Sequence, residues 1–191
     1  MTAQPEVAAP GSVAPRAGTP VALYWLALGT FAIGSEGFMI AALLTMIASD
    51  LRVSVARAGL LVSIFALAYA LSSPLLTALT GRVDRRRLLI VSMSSFALLN
   101  VVAAMSHSFL ALAGARVLLA CAAGIYTPNA NALAGALVPA ERRGRAIAIV
   151  NGGLTAAIAL GVPLGALVGE RFGWRMTFIG VGAQGDRVMK I

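Results

Sequence analysis

The sequence predicts an all-α, polytopic membrane protein, and three observations carry that reading. Of its 191 residues 59% are hydrophobic and 12% charged, with a mean hydropathy of +0.89; a soluble domain is about 45–50% apolar and about 25% charged. Five stretches, 21–49, 58–80, 88–106, 109–140 and 146–169, are long and almost free of charge. Each can cross about 30 Å of hydrocarbon, which takes about 20 apolar residues. In lipid every backbone polar group must find its partner within the segment, so these spans are expected to be helices. The same composition excludes a soluble enzyme, a disordered chain and a secreted disulfide scaffold. The single cysteine, Cys121, makes neither an internal disulfide nor a cysteine metal cluster. A net charge of +8 suits the cytoplasmic loops of a membrane protein, and no nucleic-acid partner is expected.

Taken in order, residues 1–20 are rich in Ala, Pro and Gly, with Glu6 and Arg16 as their charges, and read as a flexible cytoplasmic tail. The five spans follow within a transmembrane domain expected over 21–183. A sixth begins at Met176, stays apolar to Ala183 and then meets Gln184-Gly-Asp-Arg-Val-Met-Lys-Ile. Eight residues cross less than half of the hydrocarbon, so this span is expected to be a stub. The polar tail 184–191 reads as a non-native or frameshifted end. The arginines set the orientation. With the amino terminus inside, the cytoplasmic segments hold Arg16, Arg82, Arg85, Arg86, Arg87, Arg142, Arg143 and Arg145, and the opposite loops hold Arg52, Arg57, Arg171 and Arg175. Eight against four places the amino terminus in the cytoplasm.

Two charges stand inside spans. Glu36 lies near the middle of the first, in Gly34-Ser-Glu-Gly-Phe. A carboxylate there costs about 2.5–3.5 kcal/mol on insertion scales. It escapes that cost by facing a wet cavity, pairing with a cation or taking a proton, and the last of these is what proton coupling requires. Arg116 lies seven residues into the fourth span, about 10 Å below that membrane face, whereas Glu36 is about 20 Å below the same face. The remaining gap of about 10 Å leaves direct pairing and snorkelling both open.

Gly153, Ala157, Gly161, Gly165 and Gly169 recur every four residues along the fifth span, a stripe against which another helix backbone can pack closely. Pro163 interrupts it and should bend the helix. Between the second and third spans, Asp84 stands among arginines and can pair locally or cap the next helix. Tyr126, Asn129 and Asn131 form a polar patch in the fourth span, which lines a cavity or bonds between helices. His107 falls in a short loop, and Tyr24 and Trp25 read as interface residues. Intramembrane hydrolysis would need a base at span depth beside Ser35, and there is no histidine there, so the chain is not expected to be an enzyme. No metal-ligand cluster and no phosphate-cradling loop is present either.

These residues resemble the amino-terminal half of a major facilitator superfamily transporter of the drug:H+ antiporter branch, the arabinose-efflux and chloramphenicol-resistance type of permease. The likeness lies in Gly34-Ser-Glu-Gly-Phe with Asp50-Leu51, the loop from Gly81 to Leu88, Arg116 with Gly124, Gly153 through Gly161-Val-Pro-Leu-Gly165, and Gly173-Trp-Arg-Met-Thr-Phe. It covers about residues 21–182. The loop motif is shortened, Ala120 stands where the arginine motif has its first glycine, and Val162 separates Gly161 from Pro163.

The resemblance implies proton-coupled efflux of small, drug- or sugar-like molecules by alternating access, in a bacterial-type inner membrane and without a cofactor or metal. It implies that Glu36 binds proton and substrate, that Arg116 takes part in coupling, and that Gly81, Asp84 and Arg85 form a cytoplasmic gate. Gly153, Gly161, Pro163 and Gly165 match the fifth-helix antiporter motif, at the interface between halves. The family has two six-helix halves with substrate bound between them, so this chain is expected to be one half. Its partners would then be substrate, protons and lipid, with a missing C-terminal half or a second copy facing the fifth-span stripe. The alternative is an inactive fragment, or a membrane interaction partner that transports nothing.

Overall fold

The structure, a computed structural model, describes residues 20–188, all of them helix or short connections. Residues 1–19 of the expected tail and 189–191 at the other end lie outside the described residues. Four long helices come first: α1 (Val21–Asp50), α2 (Val55–Leu79), α3 (Arg85–Ala104) and α4 (Phe109–Ala136). A 3-10 turn, Ala140–Arg142, leads into one long helical unit made of α5 (Arg143–Ala156), a π turn (Ala157–Gly161) and α6 (Val162–Phe172). Helix α7 (Trp174–Val188) follows. Among the described residues five helical units are long and apolar enough to cross a membrane, and they coincide with the five expected spans. The sixth helix is the shorter one, but it does not stop where the apolar stretch does. Gln184 and Gly185 continue it, and a Cβ on Gly185 would touch Ala97 and Met93 of α3.

Local chemistry sets the boundaries. Ser54, Asp84 and Ser108 each cap a helix by accepting a hydrogen bond from the backbone N–H three residues on, at 3.1, 3.1 and 3.2 Å, as short polar side chains do at N-caps. Asp84 thus fills the capping role that the sequence left open. Gly173, at φ +86°, ends α6 in a conformation that disfavours a side chain. The bend expected at Pro163 takes the form of the π turn just before it. Val162 N–H reaches back five residues to Ala157 O, a widening that makes room for the ring of Pro163 where the ladder loses the bond its missing N–H cannot make.

Helix α1 is the hub and packs against α2, α4, α5, α6 and α7, while α3 and α4 complete the bundle. Ile40, Leu43 and Ile47 of α1, Leu61 of α2, Met93 and Phe96 of α3, Leu119 of α4, Val150 of α5 and Phe178 of α7 are buried together in one core. The outside is apolar as well. Leu67, Leu71, Leu75 and Leu79 stand exposed along α2, and a contiguous surface of that kind belongs in hydrocarbon rather than water.

One expectation is corrected here. The small-residue stripe of the fifth span does not wait for a partner beyond the chain; it packs on α1. A Cβ on Gly153 would overlap Ala27 O and Thr30, one on Gly161 would overlap Ser35, one on Gly165 would meet Met39 Cβ at 2.9 Å, and one on Gly169 would overlap Leu43. Thr30 Oγ1 donates to Val150 O at 2.5 Å across the same contact. A four-residue period announces close helix packing, but it does not say which helix comes close, and the α1 backbone fills the groove first.

Candidate functional site

The middle of α1 carries three successive buried residues, Gly34, Ser35 and Glu36. Glu36 and Arg116 of α4 are both fully buried, and Arg116 Nη1 donates to Glu36 Oε1 in a direct ion pair. The guanidinium is held on other sides too. Nη1 donates to the Glu36 carbonyl at 3.4 Å, Nε donates to Leu61 O of α2 at 3.4 Å, and the Phe65 ring lies 4.3 Å from the guanidinium carbon. Three helices therefore meet at one cation. Two polar atoms of the pair, Glu36 Oε2 and Arg116 Nη2, have no hydrogen-bond partner among the described residues, and neither does the neighbouring Ser35 Oγ. Buried polar atoms are ordinarily satisfied, so the pair keeps one acceptor and one donor group for something else.

Beside the pair lies a cavity of about 320 Å³ whose walls include Thr30, Ile33, Gly37, Phe65, Asn151 and Leu154. It opens among α1, α2, α4 and α5 and has no charged side chain in its lining. Phe65 is common to both features, with one side against the guanidinium and another against the cavity. Tyr69, one helical turn on, stacks with it at 6.3 Å and 15° and lines the cavity as well.

The profile of the Major Facilitator Superfamily matches residues 26–183. The chain belongs to the Major Facilitator Superfamily. Among its relatives, the uncharacterized MFS-type transporter YtbD of Bacillus subtilis (strain 168) is 40% identical over 164 residues, 86% of this chain and 41% of that protein. A chloramphenicol resistance protein of Streptomyces lividans is 42% identical over 159 residues, 83% of this chain and 41% of that protein. The chain spans about two fifths of the length of these relatives. Two solved structures share the fold. A bacterial homologue of the human lysosomal transporter Spinster, inward-facing and unoccupied, gives a TM-score of 0.77 at 24% identity over 88% of this chain and 41% of that one. The proton:xylose symporter XylE gives 0.78 at 13% identity over 88% and 43%. The chain is thus a membrane protein of a transporter superfamily.

The other residues singled out from this superfamily's motifs lie apart from the pair. Gly81, Asp84 and Arg85 sit at the exposed junction of α2 and α3, 16 residues or more along the chain from Phe65 and beyond the end of α2, which lies about 20 Å from that residue. Gly153, Gly161 and Gly165 line the seam between α1 and the fifth span, and Pro163 is exposed on its outer side. Gly124 lets α4 meet α2 closely, since a Cβ there would lie 3.2 Å from the Ser73 backbone. In the polar patch, Tyr126 bonds between helices to Leu26 O at 3.3 Å, Asn129 bonds back to Ile125 O in its own helix, and Asn131 reaches Asn151 of α5 at 3.4 Å.

Sequence reasoning missed one residue, and it missed one contact within a group whose residues it had quoted separately. Phe65 is one aromatic residue within a uniformly apolar span, and nothing in its spacing marks it. The contact is at the far end of α1, where Asp50 accepts from Trp174 Nε1 at 3.1 Å and from Arg175 Nη1 at 2.5 Å, while Arg175 Nη2 donates to Ser106 O at 3.1 Å. A charge at the end of one span and a Trp-Arg pair at the start of another were the available signal.

Proposed function

We propose that this chain forms the proton-coupling half of a superfamily exporter that expels small apolar or amphipathic molecules, drug- or sugar-like, in exchange for protons. The observation that carries the reading is the fully buried Glu36–Arg116 pair set beside an uncharged cavity. The chloramphenicol resistance protein among the relatives supports efflux. In the proton-free state carboxylate and guanidinium neutralise each other. A proton on Glu36 removes the negative charge, and arginine cannot shed its own. A buried, unpaired guanidinium is costly, so protonation favours a conformation in which water reaches the site, whereas a substrate donor that engages the free Oε2 needs the carboxylate ionised. Proton and substrate then compete for the same place, which is the condition for exchange.

In this reading the groove wall is completed by a second helical half, either a C-terminal one or a second copy. Gly81, Asp84 and Arg85 form the gate at the cytoplasmic end. The seam at Gly153, Gly161, Pro163 and Gly165 carries the bend on which the two halves move. The amino terminus faces the cytoplasm and the membrane is the bacterial plasma membrane.

The test is proton-gradient-driven movement of a probe, beginning with chloramphenicol, in vesicles that contain the chain together with the second half that completes its groove. Glu36→Gln should lower the driven rate by about tenfold or more while leaving leak unchanged. Driven movement of the same size in the Gln variant would overturn the coupling role.

A further inference from the structure

The ring of Phe65 separates two regions that the proposed exchange has to connect. On one side is the Arg116 guanidinium, 4.3 Å from the ring centroid, and on the other is the cavity. Opposite the ring, α1 offers Gly37, where a Cβ would sit 3.5 Å from Phe65 Cε1. A methyl at position 37 would therefore stand in ordinary contact with the ring edge. Glu36 and Arg116 are fully buried, although the cavity begins at the neighbouring residues Gly37 and Phe65.

The helix that carries the ring is also the least buried of the five spans, although it packs closely along α4. Ala58 and Leu61 are the buried residues of α2, and its remaining side chains are half-buried or exposed. A side chain on such a helix can swing without unpacking a core. The charged group that faces Glu36 is Arg116, and the groups that α2 turns toward the pair are the Leu61 carbonyl and the Phe65 ring, with the Tyr69 phenol stacked behind.

We propose that Phe65 is a positioning residue that acts as a shutter, its ring seating the Arg116 guanidinium and closing the Glu36–Arg116 pair off from the substrate cavity until the ring moves aside. The inference rests on the reading of that pair as the coupling site and adds the element that controls access to it. With the ring in place the guanidinium keeps a cation–π partner and two carbonyls even when Glu36 is protonated, so the cation stays in position through the exchange. With the ring displaced, by rotation or by an apolar substrate leaning on it from the cavity, the unpartnered Oε2 and Nη2 come within reach of water or of a polar substrate atom.

The experiment is labelling of Glu36 by dicyclohexylcarbodiimide, an apolar reagent for membrane carboxyls, in the full chain in lipid vesicles, read by mass spectrometry against time. Phe65→Ala should label about tenfold faster than wild type, the factor that 1.4 kcal/mol of lost closure corresponds to. Phe65→Trp should keep the wild-type rate, because it restores a ring and a cation–π face. Gly37→Ala adds a methyl in ordinary contact with the ring and should slow labelling; this variant also keeps the proposal open to refutation if Phe65→Ala fails to fold. Equal labelling in wild type, Phe65→Trp and Gly37→Ala, with no acceleration in Phe65→Ala, would overturn the shutter. Labelling reads access and not transport. The expected contrast, found in a wild type that shows no proton-driven movement when its second half is present, would sink the coupling function while leaving the shutter in place.

Discussion

Helix α1 carries two acidic residues, each paired to an arginine of another helix, and the two pairs are physically opposite. Glu36 and Arg116 have side chains with 0% exposure on both sides, whereas Asp50 and Arg175 stand 43% and 33% exposed. The outer pair is embedded in a network: Asp50 also accepts from Trp174, and Arg175 also donates to Ser106 O and lies 4.4 Å over the Trp174 ring. The inner pair leaves Oε2 and Nη2 without partners. The pair that is out of reach of water is therefore the less completely satisfied of the two. A purely structural ion pair would be expected to show the reverse, since full satisfaction matters most where the dielectric is low. The contrast fits the proposed division, in which the outer pair holds helix ends together and the inner pair changes its charge state.

The largest expected effect breaks the inner pair asymmetrically. Removing one partner of a buried ion pair costs about 3–5 kcal/mol, because the other charge is left uncompensated. Here the two removals should not be equal. After Arg116→Met the remaining carboxyl can take a proton and become neutral, whereas after Glu36→Leu the remaining guanidinium cannot. Glu36→Leu should therefore lie at the upper end of that range and Arg116→Met below it. The double variant should recover much of the loss, because a well-packed apolar pair can replace an ionic one. Unfolding of the four proteins in one detergent measures this, and equal single losses that add in the double variant would mean that the two groups are not coupled.

A second effect separates the inner pair from the scaffold that holds it. A Cβ on Gly161 would overlap Ser35, the residue before Glu36, whereas one on Gly169 would overlap Leu43 further along α1. Both substitutions overpack the same seam, and each should cost about 1–3 kcal/mol of stability. Only Gly161→Ala should also expose the inner pair, seen as faster carbodiimide labelling of Glu36, because only there does the displaced backbone belong to the site. Similar labelling in Gly161→Ala and Gly169→Ala would show that the seam sets global packing and has no particular tie to the pair.

Much of this arrangement was legible in the amino-acid order because lipid imposes a simple rule: long uncharged runs must be helices. The same rule made Glu36 and Arg116 conspicuous, since each is the only charge within its run. Their contact was not legible. Counting residues from the membrane face left a gap of about 10 Å, and that count fixes neither helix tilt nor the reach of a long side chain. The stripe beginning at Gly153 was legible as a surface for close packing, but its partner was misassigned, because period alone does not identify the neighbour. Phe65 was invisible. An aromatic residue in an apolar helix is unremarkable until the structure places a guanidinium on one side of it and a cavity on the other. Asp84 shows the opposite case: a helix cap is a local interaction between residues three apart, and local interactions can be read directly.

The smallest expected effect tests the other side of the contrast. Asp50→Asn removes the charge from the outer pair but keeps an oxygen that can accept from Trp174 Nε1. Pairs this exposed contribute about 0–1 kcal/mol, because solvent screens the charges and two side chains lose freedom in holding one geometry. The loss should therefore fall within that range, and it should shrink as salt is raised from low to physiological strength, where the screening length drops to about 8 Å. The inner pair, fully buried, should show no such salt dependence when Glu36→Leu is measured in the same buffers. Carbodiimide labelling of Glu36 should be unchanged in Asp50→Asn, since the two sites are 14 residues and about 20 Å apart on one helix. A salt-independent loss well above 1 kcal/mol, or altered labelling at Glu36, would mean that the clasp at the end of α1 communicates with the buried pair and that the division between scaffold and site has been drawn in the wrong place.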